Sequence, residues 1–353
     1  MAKIKHLHLY NWKDIADSYK HTLVIGNGAS IAVNPSFNYS SLYLSAKESG
    51  LVSKEANNLF EYFETKDFEY ILRLLSNAHD INVALKISED QTVKIHYAIR
   101  NALINVVQQL HVTYDQVAPV IPNVISFLEQ FETVFSLNYD LILYWAILWA
   151  NDNDANKYFI DCFIKKGAFE EDWQWLRKRY KGKETTLVFY PHGNLALTTN
   201  NGETIKISRG KVVTEVEDAI VLISRDLMKT IQEAWKSKGY VPLFVSEGSS
   251  KQKLMAIQRN GYLNSVYESA LPVNNGTITI YGWSIGDQDE HILSRLISGK
   301  PKKIAISIYK SEDWEGKAFE MRNKILKIYF QKHRDAPEEI MFYDSSSQGC
   351  WKN

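Results

Sequence analysis

Five short stretches set small and polar side chains directly after apolar runs. They are Gly26-Asn27-Gly28-Ala29-Ser30, Ser136-Leu137-Asn138-Tyr139-Asp140, His192-Gly193-Asn194, Ser246-Glu247-Gly248 and Gly282-Trp283-Ser284-Ile285-Gly286-Asp287. In the first, Gly26 and Gly28 lack a Cβ, so backbone N–H groups can approach a ligand closely. Ser30 adds a hydroxyl where a helix can begin and present N–H groups to an anion. Ile31 stands where G-x-G-x-x-G has its third glycine, so this stretch alone reads equally well as a tight structural turn. The carboxamide of Asn138, the carboxylate of Asp140 and the imidazole of His192 offer hydrogen bonding, negative charge and proton transfer. Each also has a plain structural use: Asn138 as a turn residue, Asp140 as the N-cap of a helix from Leu141, and His192 as a packed ring after a strand.

The elements that must carry these residues alternate. Leu23 to Ile25, Thr133 to Leu137, Leu187 to Tyr190, Val241 to Val245, Thr277 to Tyr281 and Lys303 to Tyr309 read as buried strands. Helical patterns separate them, which predicts an α/β fold: a Rossmann-like open, mostly parallel sheet with helices on both faces. In such sheets ligands bind beyond the carboxyl ends of the strands, where all five stretches fall, so together they describe one polar crevice. Residues 40–131 form a helical insertion after the first strand, with Phe68, Ile71, Leu72 and Leu75 on one stripe and Tyr97, Ala98, Leu103, Val106, Val107 and Leu110 on another. Pro119 and Pro122 interrupt it before a last helix through Phe131. Residues 151–186 form a smaller surface insertion, and a hairpin turns at Asn201-Gly202.

Composition narrows the classes. The chain has 353 residues, 41 Lys plus Arg against 41 Asp plus Glu, and two cysteines, Cys162 and Cys350. Zero formal charge argues against a nucleic-acid partner, and the basic run Arg177 to Lys183 reads as a solvated face. Two distant cysteines exclude a disulfide framework or a four-cysteine zinc module, so no metal is expected. His6 and His8 have metal-like spacing without an acidic partner and read as an extended leader. Met1 to Asp14 lacks the pattern of a secretory signal, and the apolar run Leu141 to Ala150 is too short to span a bilayer. These features predict a cytoplasmic protein with no membrane partner.

A G-x-G-x-S loop, a T/S-x-N-x-D loop, a His-Gly pair and a late G-x-S-x-x-D loop occur in that order between Gly26 and Asp287. This layout resembles the sirtuin-like NAD-binding domain, in the divergent bacterial branch associated with NAD hydrolysis in antiphage defence. The resemblance implies one domain over residues 1–353 that cleaves the nicotinamide–ribose bond of NAD+, its substrate. Asn138, His192 and Asp140 would then be catalytic: Asn138 holding a ribose hydroxyl or a water, Asp140 near the developing cation, and His192 as general base with the ordinary imidazole pKa of ~6.5. Gly26, Asn27, Gly28 and Ser30 would cradle the pyrophosphate, Gly282, Ser284 and Asp287 would approach from the late loop, and Glu247 would take a ribose hydroxyl.

The chain departs from deacylating sirtuins in two places. It cannot build their zinc module, and Asn34-Pro35-Ser36-Phe37 replaces their G-I-P-D-F-R pattern, leaving Phe37 as an aromatic contact. Water is therefore the expected acceptor, giving nicotinamide and ADP-ribose. An ADP-ribosyltransferase or deacylase using the same cleavage, and a non-catalytic nucleotide-sensing or assembly module, are the alternatives. Uncontrolled NAD loss would kill the cell, so the expected partners beside NAD+ are a second copy of the chain or a defence protein that gates activity.

Overall fold

The computed structural model describes residues 7–38, 41–88, 91–153, 155–164, 167–180, 182–200, 203–207, 227–235, 240–245 and 248–353. Their strands are β1 (Leu9–Tyr10), β2 (Thr22–Ile25), β3 (Thr133–Ser136), β4 (Lys157–Ile160), β5 (Glu184–Phe189), β6 (Gly193–Asn200), β7 (Glu203–Lys206), β8 (Val241–Phe244), β9 (Thr277–Tyr281), β10 (Lys303–Ile308) and β11 (Glu339–Asp344). Eight of them form a sheet in the order β1-β11-β10-β9-β2-β3-β5-β4. Every neighbouring pair is parallel, and helices flank the sheet, so the predicted Rossmann-like α/β architecture is the one observed. Every residue of β2 and β3 is buried, which is why both read as runs without polar alternation, broken only by Ser136 at the end of β3.

Chain order reverses at β2. From there the chain runs to β3 and β5 on one side, whereas β9, β10 and β11 fill the other. Connections leaving β2 and β9 therefore diverge at their carboxyl ends and open a crevice between them.

One predicted strand belongs elsewhere. Val241 to Val245 was expected in the parallel sheet, but β8 pairs antiparallel with β6 in a separate sheet ordered β7-β6-β8. Pro242 fits the edge position that β8 takes there, since a proline has no N–H to donate to a ladder and is confined to edge strands. β6 and β7 form the expected hairpin, although Asn201 and Gly202 at its turn lie outside the described residues. Within 151–186, β4 joins the main sheet as its edge, and Trp173 and Leu176 are buried. Arg177 stacks over the Trp173 ring and donates to Thr133 Oγ1 at 2.9 Å, so the basic run is not wholly solvated.

Between β2 and β3 lie the helices Asn27–Val33, Leu42–Glu48, Lys54–Tyr62, Phe68–Ala84, Gln91–Leu110, Tyr114–Val117 and Ile121–Leu128. Phe68, Ile71, Leu72 and Leu75 are all buried, as their spacing demands, and Asp67 caps their helix by accepting the Tyr70 N–H at 3.1 Å. On the second long helix Leu103, Val106 and Val107 are buried, but Tyr97 and Ala98 stay exposed. Pro122 opens the last of these helices, where a missing N–H costs nothing. The buried Trp351 donates from its indole to the Ala29 carbonyl at 2.9 Å, tying this late residue to the helix Asn27–Val33 that follows β2. Among the described residues no helix is long and apolar enough to cross a membrane.

Candidate functional site

A cleft of about 650 Å³ opens at the carboxyl ends of β2, β3 and β9. Gly26, Asn27, Gly28, Asn138, Asp140, His192, Gly282 and Ser284 line it, so most of the residues singled out from the sequence meet there. Four do not. Ser30 and Phe37 are buried behind the wall, Asp287 lies outside the cleft, and Glu247 falls outside the described residues.

The glycines bring two backbones together. The Gly26 N–H donates to the Tyr281 carbonyl at 2.9 Å and the Gly28 N–H to the Gly282 carbonyl at 2.7 Å. A Cβ on Gly26 would sit 2.5 Å from Trp283 Cβ, and one on Gly28 would sit 2.8 Å from the Gly282 oxygen. Only glycine permits that approach. The Gly28 N–H expected to meet a phosphate is thus already used within the protein, and Gly26 with the first turn of the helix Asn27–Val33 lies at the floor of the cleft. Asn27 turns its amide to the Phe37 carbonyl at 3.2 Å. Phe37 itself packs edge-on against His111, with ring centroids 5.4 Å apart, in place of the ligand contact expected of it.

Ser30 acts on its neighbours. Its hydroxyl donates to Asp140 Oδ2 at 2.5 Å and accepts from Asn138 Nδ2 at 2.8 Å. Asn138 Nδ2 also donates to the Gly26 carbonyl at 3.0 Å. Both amide protons are therefore spent on orientation, which leaves Oδ1 as the group Asn138 offers the cleft. Asp140 Oδ1 accepts the Ile142 N–H at 2.9 Å and so also ties down the first turn of the helix Ile142–Asp152. Burial raises the Asp140 pKa above the ordinary carboxylate value, with the Ser30 hydroxyl and nearby His111 opposing. Burial likewise lowers the pKa of His111, whose Nε2 accepts the Leu141 N–H at 3.0 Å.

His192 is held from behind. Its carbonyl accepts the Val245 N–H at 2.7 Å, and a Cβ on Gly193 would lie 2.1 Å from the Leu243 oxygen. The His-Gly pair thus lets β8 close on β6 immediately after the imidazole. Around the ring stand residues whose role the sequence did not disclose. His192 Nε2 lies 3.2 Å from His291 Nε2, and Asp289 Oδ1 lies 3.9 Å from His192. Asp289 pairs with the buried Lys253 at 2.9 Å, and His291 Nδ1 lies 3.1 Å from Ser250 Oγ. Burial and then Lys253 hold His192 down to about 3, so the base is neutral but far less basic than a free imidazole. Burial raises Asp289, but His192 and Lys253 outweigh it and leave its pKa below the ordinary carboxylate value.

The late loop therefore delivers a different acid from the one expected. Asp287 is exposed and pairs with Lys324 at 2.7 Å, on the far side of a short 3-10 turn, Asp287–Asp289. Asp289, two residues on, faces the cleft. The signal was present in the Gly286-Asp287-Gln288-Asp289 run, but sequence alone does not say which carboxylate turns inward. Lys66, from the loop ahead of the helix Phe68–Ala84, stands exposed at the rim and has no ion-pair partner among the described residues. Among those residues no group of three or more His, Cys, Asp or Glu side chains is placed to hold a metal.

No curated protein matches the chain. Residues 23–351, which run from β2 through the buried Trp351 and enclose every residue of the cleft, match a domain of unknown function, DUF4917. The match spans nearly the whole sequence, and the chain belongs to the DUF4917 family.

Proposed function

We propose that this protein is a sirtuin-like NAD+ hydrolase that cleaves the nicotinamide–ribose bond, releasing nicotinamide and ADP-ribose, in bacterial antiphage defence through NAD depletion. One observation carries the reading. Asn138 and His192, two of the three residues the resemblance makes catalytic, follow different strands of the chain and line one cleft at the point where the sheet order reverses.

The chemistry suits the groups present. As the C1′–N bond breaks, its electron pair leaves with neutral nicotinamide and positive charge grows on the ribose. Asn138 Oδ1, fixed by the two donor bonds of its amide, accepts from a ribose hydroxyl or from the attacking water. Water oxygen bonds to C1′ and its proton passes to His192. A weak base suffices, because a water attacking an oxocarbenium-like centre becomes strongly acidic as the bond forms. Asp289, 3.9 Å from Nε2, then stabilises the imidazolium. Ser30 and Asp140 act as positioning residues behind Asn138, and Lys66 supplies positive charge for the pyrophosphate at the rim.

The His192–His291 contact favours a second reading, a non-catalytic nucleotide-sensing module, because it already engages the nitrogen a base would use. Product analysis after incubation with NAD+ separates the readings. Free ADP-ribose with equimolar nicotinamide supports hydrolysis, transfer to an added protein acceptor indicates an ADP-ribosyltransferase, loss of acyl groups indicates a deacylase, and binding without turnover indicates a sensor. We further propose that residues 151–186 or self-association gate the activity. Purified protein that turns over NAD+ at one specific rate across all concentrations, without a partner, contradicts the gating.

A further inference from the structure

We propose that the helical layer carries a second site, separate from the cleft, that binds a small oxyanion of the phosphate class between the helices Phe68–Ala84 and Gln91–Leu110. The pocket measures about 220 Å³ and shares no lining residue with the cleft. Ser76 and His79 face it from the first helix, and Thr92, His96 and Arg100 from the second. The latter three fall at i, i+4 and i+8, one stripe of a single helix face.

Arg100 carries the argument. Its side chain is only 5% exposed, and its buried Nε has no hydrogen-bond partner. Among the described residues it forms no ion pair, and no carboxylate lines the pocket. Its guanidinium carbon stands 4.9 Å from the centroid of the Tyr97 ring, a stacking that leaves the in-plane N–H groups free to point elsewhere. Buried cations are ordinarily paired, and an orphaned donor of this kind calls for an ion or ligand. A guanidinium offers parallel N–H donors that match two oxygens of a phosphate, and the two imidazoles and the serine hydroxyl that line the same pocket add further polar partners. Burial, and then the Arg100 charge, keep His96 below the usual imidazole range, the direction expected beside a cation that no anion offsets. The volume suits a free oxyanion or a small phosphate ester and is too small for a whole dinucleotide.

The test is a titration of the full chain with inorganic phosphate at constant ionic strength, read by NMR of isotope-labelled histidine. Saturable binding that moves the His79 and His96 resonances together, while chloride leaves them in place, is the expected result. Arg100→Gln weakens that binding by about tenfold or more, and Arg100→Lys retains part of it. Should Arg100→Gln fail to fold, His96→Asn replaces it, with a several-fold loss expected. The proposal is overturned if phosphate gives no saturable shift at these two histidines, if only His192 and His291 respond, or if the variants bind as the parent does.

Discussion

The Nε2 atoms of His192 and His291 lie 3.2 Å apart in the wall of the cleft. Two neutral imidazoles at that distance share one proton, so one ring donates and the other accepts. Burial pushes His192 down to about 3 and His291 to about 4, with the Lys253 charge adding to both and Asp289 opposing. The pair is therefore uncharged at neutral pH, and proton traffic at His192 is tied to a residue from a helix that is remote in sequence.

Acid stability follows from that relationship. From pH 6.5 down to about 4 the unfolded His291 ring takes up a proton that the folded ring refuses, so acidification favours unfolding across this window. Each such histidine contributes a slope of up to about 1.4 kcal/mol per pH unit. Asp140, raised by burial, acts in the opposite direction, so the informative quantity is the difference between proteins. Denaturant titrations at several pH values are expected to show a shallower acid slope for His291→Gln than for wild type. Equal slopes contradict the neutral pair.

Ser30→Ala removes the donor to Asp140 and the acceptor from Asn138 in one step. Leaving a buried carboxylate short of a partner costs about 1–3 kcal/mol. Chemical denaturation is expected to show that loss, and NAD+ turnover to fall with it, mainly in kcat because Asn138 is loosened without a group leaving the cleft. Unchanged turnover in a folded variant argues against the positioning role.

Much of this was legible in the sequence, for physical reasons that differ residue by residue. The parallel strands showed because β2 and β3 are buried on both faces and carry no alternation. The loops at their ends could be gathered into one site because the carboxyl edge of such a sheet is shared. Pro242 marks β8 as an edge strand in the sequence itself. What spacing cannot reveal is which way a side chain turns. Asp287 and Asp289 are neighbours in one short turn, yet the first meets Lys324 in solvent and the second meets Lys253 inside. Nor does a local motif disclose Lys253 and His291, which reach His192 from separate helices. Nor does the G-x-G-x-S pattern show that the Ser30 hydroxyl serves Asn138 and Asp140 and lies outside the cleft lining.

Gly282→Ala tests the floor of the cleft. Gly282 has φ of +66°, and an added Cβ would lie 2.3 Å from the Ala29 nitrogen. Both the left-handed backbone and the clash act against a side chain there, and a loss of roughly 1–3 kcal/mol is expected by thermal or chemical denaturation. A variant as stable as wild type contradicts the close approach of the two loops.

Lys253 and Asp289 form a buried pair at 2.9 Å. Lys253→Met strands the Asp289 charge, and truncating one partner of such a pair costs about 3–5 kcal/mol. The double variant Lys253→Met, Asp289→Leu is expected to recover most of that stability while losing the counter-charge for His192. Simple additivity of the two single losses contradicts the coupling.

The central claim is that Asn138 and His192 act on NAD+ in this cleft. It is tested most directly by measuring nicotinamide and ADP-ribose release from NAD+ by wild type, Asn138→Ala and His192→Ala side by side, with folding checked by circular dichroism. The account predicts equimolar products from wild type and a fall on the order of 100-fold in each folded variant. Folded variants that release the two products at the wild-type rate contradict it.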